Sequence, residues 1–218
     1  MDKVLKLEPY TLTLCPCGDP EKPIFYLLTD GERGEWIKDA CHGLCSFVFL
    51  EGTNWNHDLS PWKAEKVFRQ GEDFTGGAPI FLSTLQNELI PAAEAALGYK
   101  AKARGIGGYS LAGLFSLWAG YESDLFTHIA SVSGSLWFDG FPEYALSRDM
   151  PSPPRKICIS LGDSEHKSRN VRMAQVKSCT DAIAAHLAKT QTVVRQSNPG
   201  GHFNDPEGRL IRALQAIL

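Results

Sequence analysis

No run of about 18 apolar residues occurs in this sequence, so a membrane-spanning helix is not expected. Lysine and arginine nowhere cluster. The 22 basic residues face 25 acidic ones, for a formal net charge of -3, and that balance excludes a basic face for nucleic acid. The opening Met1-Asp2-Lys3-Val4 is not the charged-then-apolar leader of a secreted protein, and a cytoplasmic setting is expected. Metal signatures are missing as well: there is no H-E-x-x-H, and none of the six cysteines forms C-x-x-C. Cys15 and Cys17 are separated by one residue and Cys41 and Cys45 by three, while Cys158 and Cys179 stand alone. All six are expected to be reduced thiols packing as small apolar groups, with no metal and no cofactor. Repeats, low-complexity tracts and linkers are also absent, so residues 1–218 are expected to form a single domain.

What is present is the balance of a globular chain, 43% hydrophobic and 22% charged. Strands are expected around 3–8 and 11–15, then at Ile24-Phe25-Tyr26-Leu27-Leu28 and Ser46-Phe47-Val48-Phe49-Leu50. These last two unbroken apolar runs suit strands buried on both faces. Further strands fall at 103–108, 126–132, 157–161 and 192–194. Helices are expected near 34–40, 83–97, 111–120, 169–188 and 206–217, with Pro91 warning of a kink. The alternation implies a mostly parallel eight-stranded sheet flanked by helices. The Pro- and Ser-rich stretch 149–155 reads as a surface crossing.

The most informative segment is Arg104-Gly105-Ile106-Gly107-Gly108-Tyr109-Ser110-Leu111-Ala112-Gly113. A strand ends and an apolar helix begins within about two residues, with Ser110 at the apex and small residues at Gly108 and Ala112. This is the G-x-S-x-G arrangement of a serine nucleophile, with Ala112 in place of the last glycine. The N–H of Leu111, at the positive end of the helix, is placed to stabilise an oxyanion.

A serine hydroxyl needs an imidazole to take its proton. Among six histidines, His202 lies in Asn198-Pro199-Gly200-Gly201-His202-Phe203, a loop between the last strand and the last helix. It emerges at the same carboxyl edge as Ser110. His128 and His186 fall within elements, and His42 and His57 precede the serine, against the Ser…acid…His order. The acid is expected in Ser160-Leu161-Gly162-Asp163-Ser164-Glu165-His166. Spacing from the glycine favours Glu165, with Asp163 as the alternative.

With these residues in hand, the chain resembles the esterase branch of the α/β-hydrolases that holds enterochelin esterase-like enzymes, esterase D and the mycolyltransferases. The resemblance lies in Pro23-Ile24-Phe25-Tyr26-Leu27-Leu28-Thr29-Asp30-Gly31, in Ser133-Gly134-Ser135-Leu136-Trp137 and in Gly200-Gly201-His202. Trp55-Asn56-His57-Asp58-Leu59-Ser60-Pro61-Trp62 and the Ser-Leu-Gly-Asp-x-Glu loop are similar to those of bacterial esterase-like proteins in that branch. Gly134 stands where the branch carries proline. The resemblance implies an α/β-hydrolase fold without a large lid and a triad of Ser110, Glu165 and His202. It also implies a second oxyanion amide near Asp30 and Gly31 and a small-molecule ester substrate.

Trp55, Trp62, Trp137 and Phe138 either line an acyl or aryl pocket, with Trp55 and Trp137 as substrate contacts, or pack loops onto the sheet. Asp58 either orients its loop or touches substrate. Residues 135–155 leave little room for a lid. Thioesterase, siderophore esterase and acyltransferase would share every residue named, and a non-catalytic protein of the same fold is the rival of another class. A homo-oligomer stays open.

Overall fold

The computed structural model describes residues 2–29, 31–151 and 155–218, the side chains of residues 31–33 excepted. Eight strands form one sheet: β1 (Lys3–Leu7), β2 (Tyr10–Cys15), β3 (Ile24–Leu28), β4 (Ser46–Glu51), β7 (Arg104–Tyr109), β8 (His128–Val132), β9 (Lys156–Gly162) and β10 (Thr192–Asn198). Their order is β1-β2-β4-β3-β7-β8-β9-β10. Only the β1–β2 and β2–β4 pairings are antiparallel; from β4 to β10 every neighbour is parallel. The remaining strands, β5 (Lys63–Ala64) and β6 (Phe74–Thr75), make a separate two-stranded ribbon.

The apolar runs are buried on both faces, and alternate residues serve different layers. Ile24, Tyr26 and Leu28 of β3 join one core, together with Val48, Ile106, Ile129 and Ile157. Phe25 and Leu27 join the other, with Phe47, Phe49, Ala130 and Cys158. The first core is covered by α3 (Ala78–Thr84), α4 (Ile90–Leu97), α5 (Leu111–Glu122), α6 (Phe141–Leu146) and α8 (Val176–Leu187). The second lies under α1 (Gly31–Ala40) and α9 (Pro206–Gln215). The sheet is the α/β-hydrolase arrangement, and no helix among the described residues is long and apolar enough to cross a membrane.

Three details differ from the sequence-based expectation. The helix expected at 83–97 starts earlier, at Ala78, and passes through a π turn at Leu85–Leu89 before α4. Pro91 has no N–H to return to residue 87, and the widened turn relieves its clash there. The helix expected at 169–188 is two, α7 (Val171–Ala174) and α8, parted at Gln175. Asn170 caps α7 by accepting from the N–H groups of Arg172 and Met173. Finally, α2 (Trp55–Asp58), α6 and the ribbon were not expected, being too short to carry a periodic signal. Of the crossing 149–155, residues 152–154 lie outside the described residues.

Candidate active site

At the carboxyl edge of the sheet, β7 turns into α5 at Ser110, whose backbone has φ 60° and ψ -120°. Only seven glycines and three other residues have positive φ among the described residues. All three of the latter, Ser110, Ser133 and Asp205, lie in turns that follow strands at this edge, where strain of this kind tends to gather at functional sites. The turn is held from both sides. Ser110 N–H donates to the carbonyl of Val132 at 3.0 Å, and Ser110 C=O accepts from Ser135 N–H at 3.0 Å.

Two departures from the family pattern have a steric reason. A Cβ on Gly108 would lie 2.5 Å from the Cβ of Ala112, so only one of this pair can carry a methyl, and here it is Ala112. A Cβ on Gly134 would lie 2.4 Å from Ser131 Oγ, so any larger residue there requires that hydroxyl to turn away.

The Ser110 hydroxyl lies 3.0 Å from His202 Nε2. On the far side of the ring, His202 Nδ1 is 2.7 Å from Glu165 Oε2. Glu165 comes from a short 3₁₀ turn after β9 and is only 7% exposed. Burial works to raise its carboxyl, but hydrogen bonds from His202 and the Gly162 N–H prevail and hold it below the usual value. Its other oxygen, Oε1, accepts from Gly162 N–H at 2.7 Å and from Arg209 Nη1 at 2.8 Å.

Asp163, the alternative acid, points elsewhere. Its Oδ1 accepts from Ser164 Oγ at 2.8 Å and from Gly200 N–H at 3.0 Å, on the exposed side of the loop that carries His202. Three of the other histidines are engaged elsewhere. His57 meets Thr75 Oγ1 at 2.6 Å, His186 meets the Arg148 carbonyl at 3.1 Å, and His128 is buried at the opposite end of the sheet.

A cavity of about 230 Å³ opens over Ser110 and His202, walled by Trp55, Phe68, Phe74, Trp137 and Met173. Trp55 and Trp137 thus face the site, whereas Trp62 and Phe138 pack into the core beneath it, with ring centroids 6.1 Å apart. Asp58 accepts the Asn54 N–H at 2.8 Å and orients its own loop. The outer wall is residues 66–72, the tip of the ribbon between β5 and β6. Asn170 and Arg172 hold it down, donating to the carbonyls of Val67, Glu65 and Lys66. Leu111 lines the cavity at the start of α5. Gly31 opens α1, and its neighbour Asp30, also named for the second oxyanion amide, lies outside the described residues.

Sequence reasoning missed three residues here. Ser135 lines the cavity, its hydroxyl 3.5 Å from that of Ser110. Tyr109 donates its hydroxyl to the His202 carbonyl at 2.5 Å. Arg209 lies on the buried face of α9 beside Leu210, Ala213 and Leu214. A charged residue within an apolar helical stripe was the signal that could have found it.

Over residues 46–203 the sequence matches the family described as Putative esterase. It is 28% identical over 154 residues to the uncharacterised protein YbbA of Bacillus subtilis (strain 168). That match covers 69% of this chain and 57% of YbbA, so the chain spans little more than half the length of that relative. Among solved structures, the fold is shared with an IroE-like serine hydrolase from Shewanella oneidensis: TM-score 0.78, 19% identity, 99% of this chain and 78% of that one. It is also shared with the siderophore hydrolase EstB from Aspergillus nidulans: TM-score 0.74, 16% identity, 100% and 94%. The family match takes in Ser110, the Glu165 loop and His202, and on that extent the chain belongs to the putative esterase family.

Proposed function

We propose that this protein is a serine hydrolase that cleaves a carboxylic ester through an acyl-enzyme on Ser110. The observation that carries the reading is the unbroken line from the Ser110 hydroxyl through the His202 ring to the buried Glu165 carboxylate, at 3.0 and 2.7 Å. His202 takes the Ser110 proton as the oxygen attacks the carbonyl carbon. Glu165 holds the ring in the tautomer that leaves Nε2 free and stabilises the imidazolium. The resulting oxyanion is received by the Leu111 N–H and a second amide near Gly31, each such donor being worth about 3 kcal/mol in the transition state. His202 then protonates the departing alcohol, and water, activated by the same ring, releases the acid.

The cavity suits a compact acyl or aryl group. Its aromatic walls also favour a specific second reading, since structures of the same fold include a siderophore hydrolase: an aryl-bearing siderophore ester in place of a simple ester. A panel of short aliphatic esters, aryl esters, thioesters and a trilactone separates these from a thioesterase or acyltransferase.

The direct test is labelling with a fluorophosphonate, which reacts with an activated serine and ignores an idle one. The wild type should label and hydrolyse a p-nitrophenyl ester, and Ser110→Ala should do neither while keeping its fold. Absence of labelling in the wild type would favour a non-catalytic protein of this fold. Burst kinetics retained in Ser110→Ala would move the nucleophile elsewhere.

A further inference from the structure

Arg209 is 0% exposed. Burying a guanidinium costs several kcal/mol unless its donors are met, and here the two terminal nitrogens are met by the parts of the site itself, while Nε is buried without a partner. Nη1 donates to Glu165 Oε1 at 2.8 Å, to Ser133 Oγ at 2.9 Å and to Tyr109 Oη at 3.2 Å. Nη2 donates to the carbonyls of Pro199 at 2.9 Å and Gly201 at 2.8 Å. One planar group therefore touches the residue before Ser110, the partner of the His202 ring, and the residue before His202. Gly162 makes room for it: a Cβ there would lie 2.7 Å from Nη2 and 2.4 Å from the Gly200 carbonyl.

We propose that Arg209 is a positioning residue for the reaction, acting through Glu165. Its Nη1 fixes Oε1 so that Oε2 is aimed at the ring, and its charge offsets that of the carboxylate. This rests on the Ser110–His202–Glu165 reading. The ionisable groups facing the pair are His202 and Tyr109, with Asp163, His166 and Lys167 on the acid loop. On α9, Asp205 and Arg212 pair with each other at 2.9 Å toward solvent. Asp205 and Arg212 neutralise one another, and Asp163 and Lys167 lie in high dielectric, so Arg209 is the permanent cation in direct contact with the buried carboxylate, at 2.8 Å.

Loss of a positive charge makes protonation of the carboxylate–imidazole pair easier. In Arg209→Met the acid limb of the kcat/KM–pH profile should therefore move up by roughly one pH unit, with kcat reduced. Arg209→Lys should return the limb toward its wild-type position yet keep a lowered kcat, because an ammonium cannot fork to Glu165 and two carbonyls at once. A lowered kcat with an unmoved limb would make Arg209 a structural tie and overturn the proposal.

Thermal melts accompany each variant, and Arg209→Gln carries the same readout where the methionine variant does not fold. A readout free of turnover is the Glu165 carboxyl titration followed by ¹³C NMR, which should rise in Arg209→Gln; an unchanged midpoint overturns the proposal. If the wild type fails to label with fluorophosphonate, the hydrolase reading fails by itself, while the carboxyl titration still decides the role of Arg209.

Discussion

The two ends of the parallel strands each bury an arginine, and the partners differ. At the amino end, Arg155 donates to the carbonyls of Phe126, Gly120 and Ser123 at 2.7, 2.8 and 2.7 Å. It closes the end of α5 and meets no carboxylate among the hydrogen-bond partners of its described neighbours. Burial holds its guanidinium below the usual value, with Asp124 working the other way. At the carboxyl end, Arg209 divides its donors between loop carbonyls and the carboxylate that faces His202. A cation spent on carbonyls supports a helix terminus; a cation shared with a carboxylate also sets where a proton rests. The neighbouring groups of the two ends differ as well. The amino end holds the Glu94–Arg104 pair at 2.6 Å and the buried His128, and the carboxyl end holds the strained Ser110 and Ser133.

The largest effect that would test this contrast is Glu165→Gln. It should leave the fold intact and lower kcat by roughly 10⁴-fold, since an amide can hold the ring in the wrong tautomer; steady-state hydrolysis of a p-nitrophenyl ester measures it. Next, Arg155→Met should cost about 4 kcal/mol in urea unfolding, because three carbonyls lose their donor in a buried site. The kcat of the folded fraction and the position of its acid limb should be unchanged, and a shifted limb would erase the contrast between the two arginines.

His128 sharpens it through pH. Burial, with Lys156 adding to it, lowers this imidazole to about 4 from an ordinary 6.5. Between those values the unfolded chain binds a proton that the folded chain refuses. The stability this group supports is therefore full above pH 6.5 and is lost as pH falls toward 4, by up to about 3 kcal/mol. Urea midpoints at pH 7 and 4.5 should converge in His128→Gln relative to wild type.

Smaller again is Trp137→Ala, expected to raise KM about tenfold with kcat little changed, as befits a cavity wall. Asp163→Asn should lower kcat only a few-fold, roughly what loosening one hydrogen bond to the Gly200 N–H would do.

Much of the fold was legible because burial on both faces leaves an unmistakable mark. Ile24–Leu28 and Ser46–Leu50 could scarcely be anything but central parallel strands. Short elements left no such mark. The ribbon at 63–75, which walls the cavity, contributes four paired residues and is held by Arg172 and Asn170 from more than 100 positions away. Trp55 and Trp62, seven residues apart and alike in sequence, part company, one toward the cavity and one into the core. Ser110 and His202 could be named from motif and order, and Glu165 only as the favoured of two carboxylates, with Asp163 beside it. Arg209 could not be assigned a partner, since nothing local tells a helix which loop will cross its buried face.

The sequence alone determined the strand–turn–helix around Ser110, because small residues at fixed offsets are a local steric requirement, and it determined the layered sheet, because hydrophobic periodicity is also local. Only the tertiary structure decided which carboxylate meets the imidazole, which aromatic rings face the cavity and which cation lies behind the acid. Those are distances between side chains 37 to 92 residues apart. Such distances are set when separate loops converge at one edge of the sheet, and no single segment encodes that convergence.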